Sequence, residues 1–524
     1  MKRSSLILFL SILLLSVCLR VILIVEKRII KYDDAVSYLT ATGHRGEYDH
    51  LRAGGLSPIG EWVKASDWKR FVQVEQDNVF SEIAHDMAHS GLHPPLYFWL
   101  LHLWIRILGA KPWSGPLLNI LFDLATALTI LFFGLRNLDK PRAAILASSI
   151  WLLSPVAIQT SAWIRHYSLF TLIGLLFACA YYAWLYVPER TKLTVAQYLT
   201  LVVVTAAGLL SHYLFALFVL AGAALIALRA LRLKETRRIL QVLLVLSVAG
   251  GLFWLLHPDF LVTFGNYGSK LAESDLLGRL RRTLITSLLL FSPLLLAAVM
   301  AILAHCSCNE RTSASISSIW ALFRREFSRP LVIWFSTFAL ALWGIVSILY
   351  LVGQSPRHAM GTRHLSSVGP FIAFLSVVLL RPVRRPSKRW VTLLWASILA
   401  MGIVSLLPAI NALVQNRLDV TALRSAELVV LDNASTGTWP SIVLHLQDGS
   451  EVYVADQADL LAEAPGWLPR FCEEGGLYVS YIRGKGSSEE ARQRIVDTIH
   501  EQCDLFLVSE AVKPQGTIAI YGQP

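Results

Sequence analysis

Pro94-Pro95-Leu96-Tyr97-Phe98-Trp99-Leu100-Leu101-His102-Leu103-Trp104-Ile105-Arg106-Ile107-Leu108-Gly109 is the run on which the topology of this chain turns. It is apolar, but shorter than the roughly 20 residues a helix needs to cross the hydrocarbon of a bilayer. His102 and Arg106 stand four apart, on one helical face. Tyr97, Trp99 and Trp104 are residues that favour a membrane–water boundary. The run therefore reads as a helix lying in the interface plane and not as a span.

Around it, apolar runs of about 18–22 residues recur, each long enough to cross as a helix. They lie at about 4–25, 114–135, 143–163, 167–187, 193–212, 213–229, 239–257, 284–304, 331–352, 364–380 and 390–410, which makes about eleven spans. Hydrophobic residues make up 55% of the chain and charged residues 16%, too little charge to cover the surface of a soluble protein of this size. With the N-terminus inside and 94–109 left uncounted, the inner loops are Arg136–Arg142, Glu189–Lys192, Arg229–Arg238, His305–Arg329 and Arg381–Arg389. Nearly all are basic, and counting 94–109 as a span would move every one of them outside. The positive-inside bias thus selects an N-inside, C-outside arrangement. Three outer segments follow: a large first loop at 26–113, a second at about 258–283, and everything after about 411. The expected organisation is a transmembrane domain over 1–410 and a smaller extracytoplasmic domain over 411–524. Lys2 and Arg3 precede the first span with no small-residue cleavage site behind it, the pattern of a retained anchor.

The net charge of +11 sits mostly in those short loops, where it orients the chain, so no nucleic-acid partner is expected. Six cysteines include no Cys-x-x-Cys pair, and His305-Cys306-Ser307-Cys308 is too compressed for a zinc site. The last hundred residues are soluble in pattern. Strand-like runs at Glu427–Leu431, Ile442–Leu446, Val452–Ala455 and Leu477–Ile482 alternate with helical stretches, and Asp448-Gly449 reads as a hairpin turn. Ser487-x-x-Glu490 reads as a capping box, opening a helix with Ala491, Ile495, Ile499 and Cys503 on one face. These make a small α/β domain, in which Cys472 and Cys503 are a candidate disulfide and Asn433-Ala434-Ser435 is a sequon.

Several outer or membrane-embedded residues carry candidate chemistry. Asp33 and Asp34 follow the first span; paired carboxylates at an apolar boundary either mark the membrane edge or hold a raised proton affinity suited to a general base. His93 precedes two prolines that pre-set the first turn of the interfacial helix. His85, His89 and His93 repeat every four residues, a metal-binding spacing if one helix held all three, but Gly91 and the prolines interrupt it. Arg165-His166-Tyr167 ends the third span on the outer side, where a guanidinium either snorkels to head groups or grips a phosphate. His212-Tyr213 and Arg363-His364 lie at other outer turns, and Arg279, Arg281 and Arg282 add outer positive charge against the general bias. Asp123 sits inside the second span with Asn119 on the same face. It is either functional or paired with Asn119 or a neighbouring helix.

Taken in order, these segments resemble a known family. Asp33-Asp34-Ala35-x-x-Tyr38 is similar to its Asp-Glu-Ala motif after the first span. His93-Pro94-Pro95-Leu96-Tyr97 with Leu108-Gly109 matches its His-Pro-Pro-Leu-Tyr segment, and Arg165-His166-Tyr167-Ser168-Leu169 resembles its Arg-x-Tyr-Ser-Leu. His212-Tyr213 and Arg363-His364…Pro370 resemble its His-Tyr and late Arg-Tyr…Pro. The family is the GT-C superfamily of polyprenyl-phosphate-sugar glycosyltransferases, of the glycosyltransferase family 39 kind, which includes protein mannosyltransferases and the aminoarabinose transferase of lipid A. The resemblance covers about 5–410. Where the family often has Gln-Glu-Ala, this chain has Ala162-Trp163-Ile164, so no acidic partner is carried over there.

The resemblance implies a GT-C fold in the cell membrane and an extracytoplasmic active site. It implies an inverting transfer of sugar from a polyprenyl-phosphate carrier to a protein, lipid or glycan acceptor. Asp33 would act as base, with Asp34 orienting it or holding the acceptor, while His93, Arg165, Tyr167, His212 and Arg363 would bind the donor's phosphate or sugar. No cofactor is implied, and participation of a divalent metal stays open. The alternative from the residues alone is a polytopic transporter or flippase for a glycan precursor, which would favour broken helices and charges near the midplane.

Overall fold

A computed structural model describes residues 3–27, 30, 32–75, 79–89, 93–138, 140–186, 194–267, 276–308, 329–352, 363–380, 388–415, 420–480, 487–513 and 516–522. Among them, seven helices are long and apolar enough to cross a membrane: Ser5–Val25, Ser114–Asn137, Tyr167–Leu185, Phe215–Leu233, Thr236–Leu256, Leu276–Ile302 and Pro330–Leu351. Each falls on an expected span. The run expected as one span over 143–163 is instead two helices, Pro141–Leu152 and Pro155–Ser161, that meet at 52°. The break is chemical: Ser154 is extended and its hydroxyl accepts the Ala157 N–H at 3.2 Å, while Pro155, at the start of the second helix, has no N–H to continue the first. The expected spans at 193–212 and 364–380 carry shorter apolar helices, Val195–Ser211 and Ser366–Leu380, and the last lies within Lys388–Gln415. The decisive run forms a 13-residue helix, Leu96–Leu108, about 20 Å long and so too short to span. The inner loops expected at Glu189–Lys192, over most of His305–Arg329 and over most of Arg381–Arg389 lie outside the described residues.

Compactness divides the chain into two units that are not consecutive in sequence. The first comprises 1–22, 87–97 and 117–407, and the second 23–86, 98–116 and 408–524. Within the first unit the helices meet through aromatic rings. Phe218 stacks on Phe338 of another helix at 5.5 Å, and Phe335 lies 4.9 Å from Phe374. Lipid offers little hydrophobic drive between helices, so such packing depends on close fit and small residues. Gly208 supplies one such fit, because a Cβ there would lie 2.1 Å from the Phe215 ring. Gly208→Ala is therefore expected to lower stability by about 1–3 kcal/mol. Thermal unfolding of the detergent-solubilised protein checks this. Gly250→Ala is the control, since its Cβ would meet nothing within 4 Å.

The first unit also buries an ion pair. Arg20, 1% exposed, lies with Nε 3.7 Å from Asp123 Oδ2, and its Nη1 donates to Leu152 O at 2.9 Å and Ser16 O at 3.3 Å. Asp123 therefore pairs with an adjacent helix. Asn119 turns elsewhere, donating to the carbonyls of Trp163 and, at 3.2 Å, Arg165.

The second unit is built on a six-stranded sheet of order β1-β3-β2-β4-β6-β5. Its strands are β1 (Trp62–Lys64), β2 (Leu428–Leu431), β3 (Glu451–Val454), β4 (Gly476–Ser480), β5 (Phe506–Lys513) and β6 (Gly516–Gly522). β2 runs parallel to β3 and β4, whereas β1, β5 and β6 pair antiparallel. Strand β2 is buried on both faces, so it reads as an unbroken apolar run, and alternate residues serve two cores. Val429 and Leu431 face Tyr48, Trp68, Phe71 and Trp439. Leu428 and Val430 face Trp467, Phe471, Ile495 and Ile499. The segment after the first membrane-length helix thus contributes both an edge strand and the aromatic cover of one face.

Three local expectations in this unit are corrected. Trp439–Val443 is a helix, not the start of a strand over Ile442–Leu446. Pro440 sets its first turn and has no N–H to give to a strand ladder. Asp448-Gly449 consequently does not close a hairpin: β3 returns parallel to β2. The helix Glu489–Gln502 is capped by Ser488, whose hydroxyl accepts the Ala491 N–H at 3.0 Å, and not by Ser487. Ser487 Oγ instead accepts the Asn433 amide at 2.6 Å, and Asn433 is fully buried, so the sequon is not open to modification in the folded chain. Cys472 and Cys503 are disulfide-bonded.

Candidate active site

In the second unit, Asp33 and Asp34 occupy the first turn of the helix Tyr32–Ala41, where carboxylates complement the helix dipole. Their surroundings differ. Asp34 is fully buried and Lys27 Nζ stands 2.7 Å from it, so its charge is already matched by a cation. Asp33 is half-buried, and its backbone carbonyl accepts the Ser37 hydroxyl at 2.9 Å. Just over one turn on, Tyr38 fixes the helix: its hydroxyl accepts the Gly115 N–H at 2.9 Å, donates to Lys111 O, and lies 2.8 Å from Ser114 Oγ. Burial raises the Tyr38 phenol well above its ordinary range, keeping it a neutral anchor.

The helix Leu96–Leu108 belongs to the same setting. His102 is buried with Nδ1 2.8 Å from Ala41 O, and Trp99 and Trp104 donate their indole N–H groups to Phe80 O at 2.8 Å and Ser114 O at 2.7 Å. His102 thus meets the end of the Asp33 helix, and Trp104 the 109–116 turn. Leu103 and Ile107, 46% and 78% exposed, form the helix's outward apolar face.

In the first unit, four sequence segments that are far apart converge. The turn Ala162–His166 enters the helix Tyr167–Tyr186 and is held by the Asn119 amide described above. The His166 ring lies 4.1 Å from His93, 4.7 Å from His212 and 4.5 Å from Tyr167. Tyr167 in turn lies 4.9 Å from the His364 ring, and the Arg363 guanidinium sits 5.1 Å over Trp163 and 5.9 Å over Tyr167. Arg165 is 9% exposed and His166 fully buried. Burial, with His93, His212 and Arg165 adding like charge, pushes His166 well below the ordinary imidazole range. One ring nitrogen from each of His93, His166 and His212 lies within 4.8 Å of the others, an arrangement that a metal or an anion would fit. His93 therefore does not continue the four-residue spacing from His85 and His89, whose helix ends at His89.

All five donor-side residues expected from the sequence (His93, Arg165, Tyr167, His212 and Arg363) fall in this cluster. Tyr213 points elsewhere, its hydroxyl 2.9 Å from His257 Nε2 and 3.2 Å from Thr263 Oγ1. Arg279, Arg281 and Arg282 lie in the first two turns of the helix Leu276–Cys308. Reasoning from sequence did not single out His166, His364 or Trp163, because their only signal was adjacency to the arginines.

Residues 92–254 match the model of the family described as dolichyl-phosphate-mannose-protein mannosyltransferase. No curated protein matches the chain in sequence. Among solved structures, ArnT from Cupriavidus metallidurans bound to undecaprenyl phosphate is similar at TM-score 0.54 and 12% identity, covering 99% of this chain and 98% of ArnT. The Archaeoglobus fulgidus oligosaccharyltransferase AglB, in complex with an inhibitory peptide and a dolichol-phosphate, aligns at TM-score 0.46 and 11% identity over 92% of this chain and 70% of AglB. With a fold shared with ArnT along its whole length and the mannosyltransferase-family match over residues 92–254, this multi-pass membrane protein is recognised as similar to the GT-C glycosyltransferases that use polyprenyl-phosphate-linked sugars.

Proposed function

We propose that the chain is an inverting glycosyltransferase that moves a sugar from a polyprenyl-phosphate carrier to an acceptor on the outer face of the membrane. The observation that carries this reading is the convergence of His93, Arg165-His166-Tyr167, His212 and Arg363-His364 into one buried, cation-bearing cluster. The carrier belongs to the same class as the undecaprenyl phosphate held by ArnT. About eleven spans, with the N-terminus inside, put the acidic motif, the cluster and the C-terminal segment on the extracytoplasmic side.

In this reading Asp33 takes the proton from the acceptor's hydroxyl or amine. The acceptor attacks the anomeric carbon, the carbon–oxygen bond to phosphate breaks, and polyprenyl phosphate leaves with inversion. Arg165 and Arg363 meet the charge that develops on the departing phosphate, an effect worth several kcal/mol when the cations are fixed beforehand. Asp34, matched by Lys27, holds the helix that presents Asp33. Tyr167 orients Arg363 through its ring. The interfacial helix Leu96–Leu108 offers its apolar face to the lipid tail. A transporter is the weaker reading, because Asp123, its best midplane charge, is paired with Arg20.

Mass spectrometry of envelope glycans from cells with and without the protein tests the proposal. A sugar missing from one glycan class, restored by the wild-type chain, supports it; unchanged glycans with accumulated substrate on one side of the membrane support transport instead. Asn119 gives a second test. Asn119→Leu removes the amide that holds the Arg165 carbonyl and is expected to lower transfer by about 10- to 100-fold through misplacement. The check is a transfer assay beside thermal unfolding, with kcat falling more than KM rises.

A further inference from the structure

In an open sheet with parallel strands, functional groups gather beyond the carboxyl ends of the strands, where the chain order switches sides. Here β2 lies between β3 and β4 and is parallel to both. The chain passes from β2 to β3 on one side and then crosses to β4 on the other, so the switch point lies between β2 and β4. The loop that leaves β2 at that point is 432–438. Its root is fixed. Asp432 is fully buried, and its Oδ2 accepts the Gln457 amide at 2.7 Å, the Tyr478 hydroxyl at 3.0 Å and the Ser480 hydroxyl at 2.6 Å. A buried carboxylate holding three donors makes a stiff junction.

From that root the loop runs against the segment that carries Asp33. The Ala434 carbonyl accepts the Tyr48 hydroxyl at 2.6 Å, and Thr436 donates to Asp49 at 2.8 Å. Asp456 accepts the Ala434 N–H at 2.9 Å and meets Arg52 at 2.9 Å. Gly437 is buried against the ring of Tyr32, the residue immediately before Asp33 and the first of its helix. A Cβ at position 437 would lie 2.5 Å from both Cγ and Cδ2 of that ring. Cγ is the root of the ring, so flexing its tip gives no relief. Either the ring leaves its seat or the start of the helix moves. Tyr32 is 43% exposed, and so open a ring adds little to the core. Its close fit on a loop pinned at the switch point is therefore a matter of position more than of burial.

We propose that Gly437 is a positioning residue for Asp33: the loop 432–438 seats the Tyr32 ring and through it sets the first turn of the helix Tyr32–Ala41. The sheet thereby takes part in transfer without touching sugar or phosphate. The role of Asp33 as base rests on the glycosyltransferase reading; the coupling of Gly437 to the helix does not.

The experiment is a double-variant cycle in the purified full-length protein in detergent, with two readouts. Transfer is followed with polyprenyl-phosphate-sugar lipids and acceptor extracted from cells lacking the protein, and amide hydrogen exchange is followed over the helix Tyr32–Ala41. Gly437→Ala is expected to lower the maximal rate by about 10- to 100-fold, with little change in the amount of extract that half-saturates it. Exchange in the first turn should quicken by about 10-fold. Tyr32→Ala, which removes the ring, is expected to lower the maximal rate by about 10-fold. Adding Gly437→Ala to Tyr32→Ala should cost nothing further, because the ring that the new Cβ meets has gone. A role for Gly437 in the loop's own folding would instead cost the same in both backgrounds, and additive losses would overturn the proposal. Should Gly437→Ala fail to fold, Tyr32→Ala alone decides, since wild-type rate and exchange in that variant would also overturn it. Transfer by the wild type with an unchanged rate in Gly437→Ala overturns the proposal and leaves the glycosyltransferase reading intact. Exchange that follows the cycle in a protein that transfers no sugar leaves the seat standing and removes that reading.

Discussion

Asp33→Asn is expected to lower sugar transfer by about 10²- to 10⁴-fold, the contribution of a positioned general base. The substitution keeps the side chain's size and removes its basicity. The helix Tyr32–Ala41 should survive it, because its anchors are elsewhere: the Asp34–Lys27 pair, the Ser37 hydroxyl on the Asp33 carbonyl, and the Tyr38 contacts with Lys111, Ser114 and Gly115. Yield and unfolding temperature should therefore stay near wild type while the glycan product disappears. Asp34→Asn should behave in the opposite sense. It removes the carboxylate that stands 2.7 Å from the Nζ of Lys27, itself 3% exposed, and the loss should appear first as less folded protein. Retention of full transfer by Asp33→Asn would remove the base from the mechanism.

A comparably large effect is expected in stability at Arg20. Arg20→Met leaves Asp123 as an unmatched carboxylate in a fully buried site, and removing one partner of a buried pair destabilises by about 3–5 kcal/mol. The double variant Arg20→Met with Asp123→Leu removes both charges and should regain most of that loss, since apolar residues of similar volume often replace buried pairs at little penalty. Thermal unfolding and membrane yield of the two variants give the comparison. Transfer activity should return in the double variant as well, which separates a structural Asp123 from one that carries protons or substrate.

The membrane part of the fold was legible because lipid constrains sequence so strongly: runs of the required length, flanked by basic loops, can do little else. The short run ending at Gly109 forms a helix of 13 residues, yet its side chains are used differently from the expectation. Trp99, Trp104 and His102 hydrogen-bond within the protein, a choice that amphipathic residues leave open until packing is known. The bend between Leu152 and Pro155 was present in the sequence as Ser154-Pro155, a stop-and-cap signal masked by the apolar residues around it. In the sheet, β1 is three residues long and its partner lies near the other end of the chain, so no local pattern could reveal it. The residues expected on the donor side stood out as motifs in order, but their convergence depends on helix packing. His166 shows this most clearly: it reads as a spacer between Arg165 and Tyr167 and proves to be the ring on which His93 and His212 meet.

The Tyr48 hydroxyl, in the loop after the first span, donates to the carbonyl of Ala434, 386 residues later. Contacts of such range form late, so the ribosome must deliver nearly the whole polypeptide before the loop bearing Asp33 can pack its aromatic residues on the sheet. During biogenesis Trp68, Phe71 and the open edge of β1 would wait uncovered. Nonsense or frameshift lesions ahead of β3 should consequently yield not a shortened enzyme but a substrate for quality-control proteases, even though every membrane helix has been inserted.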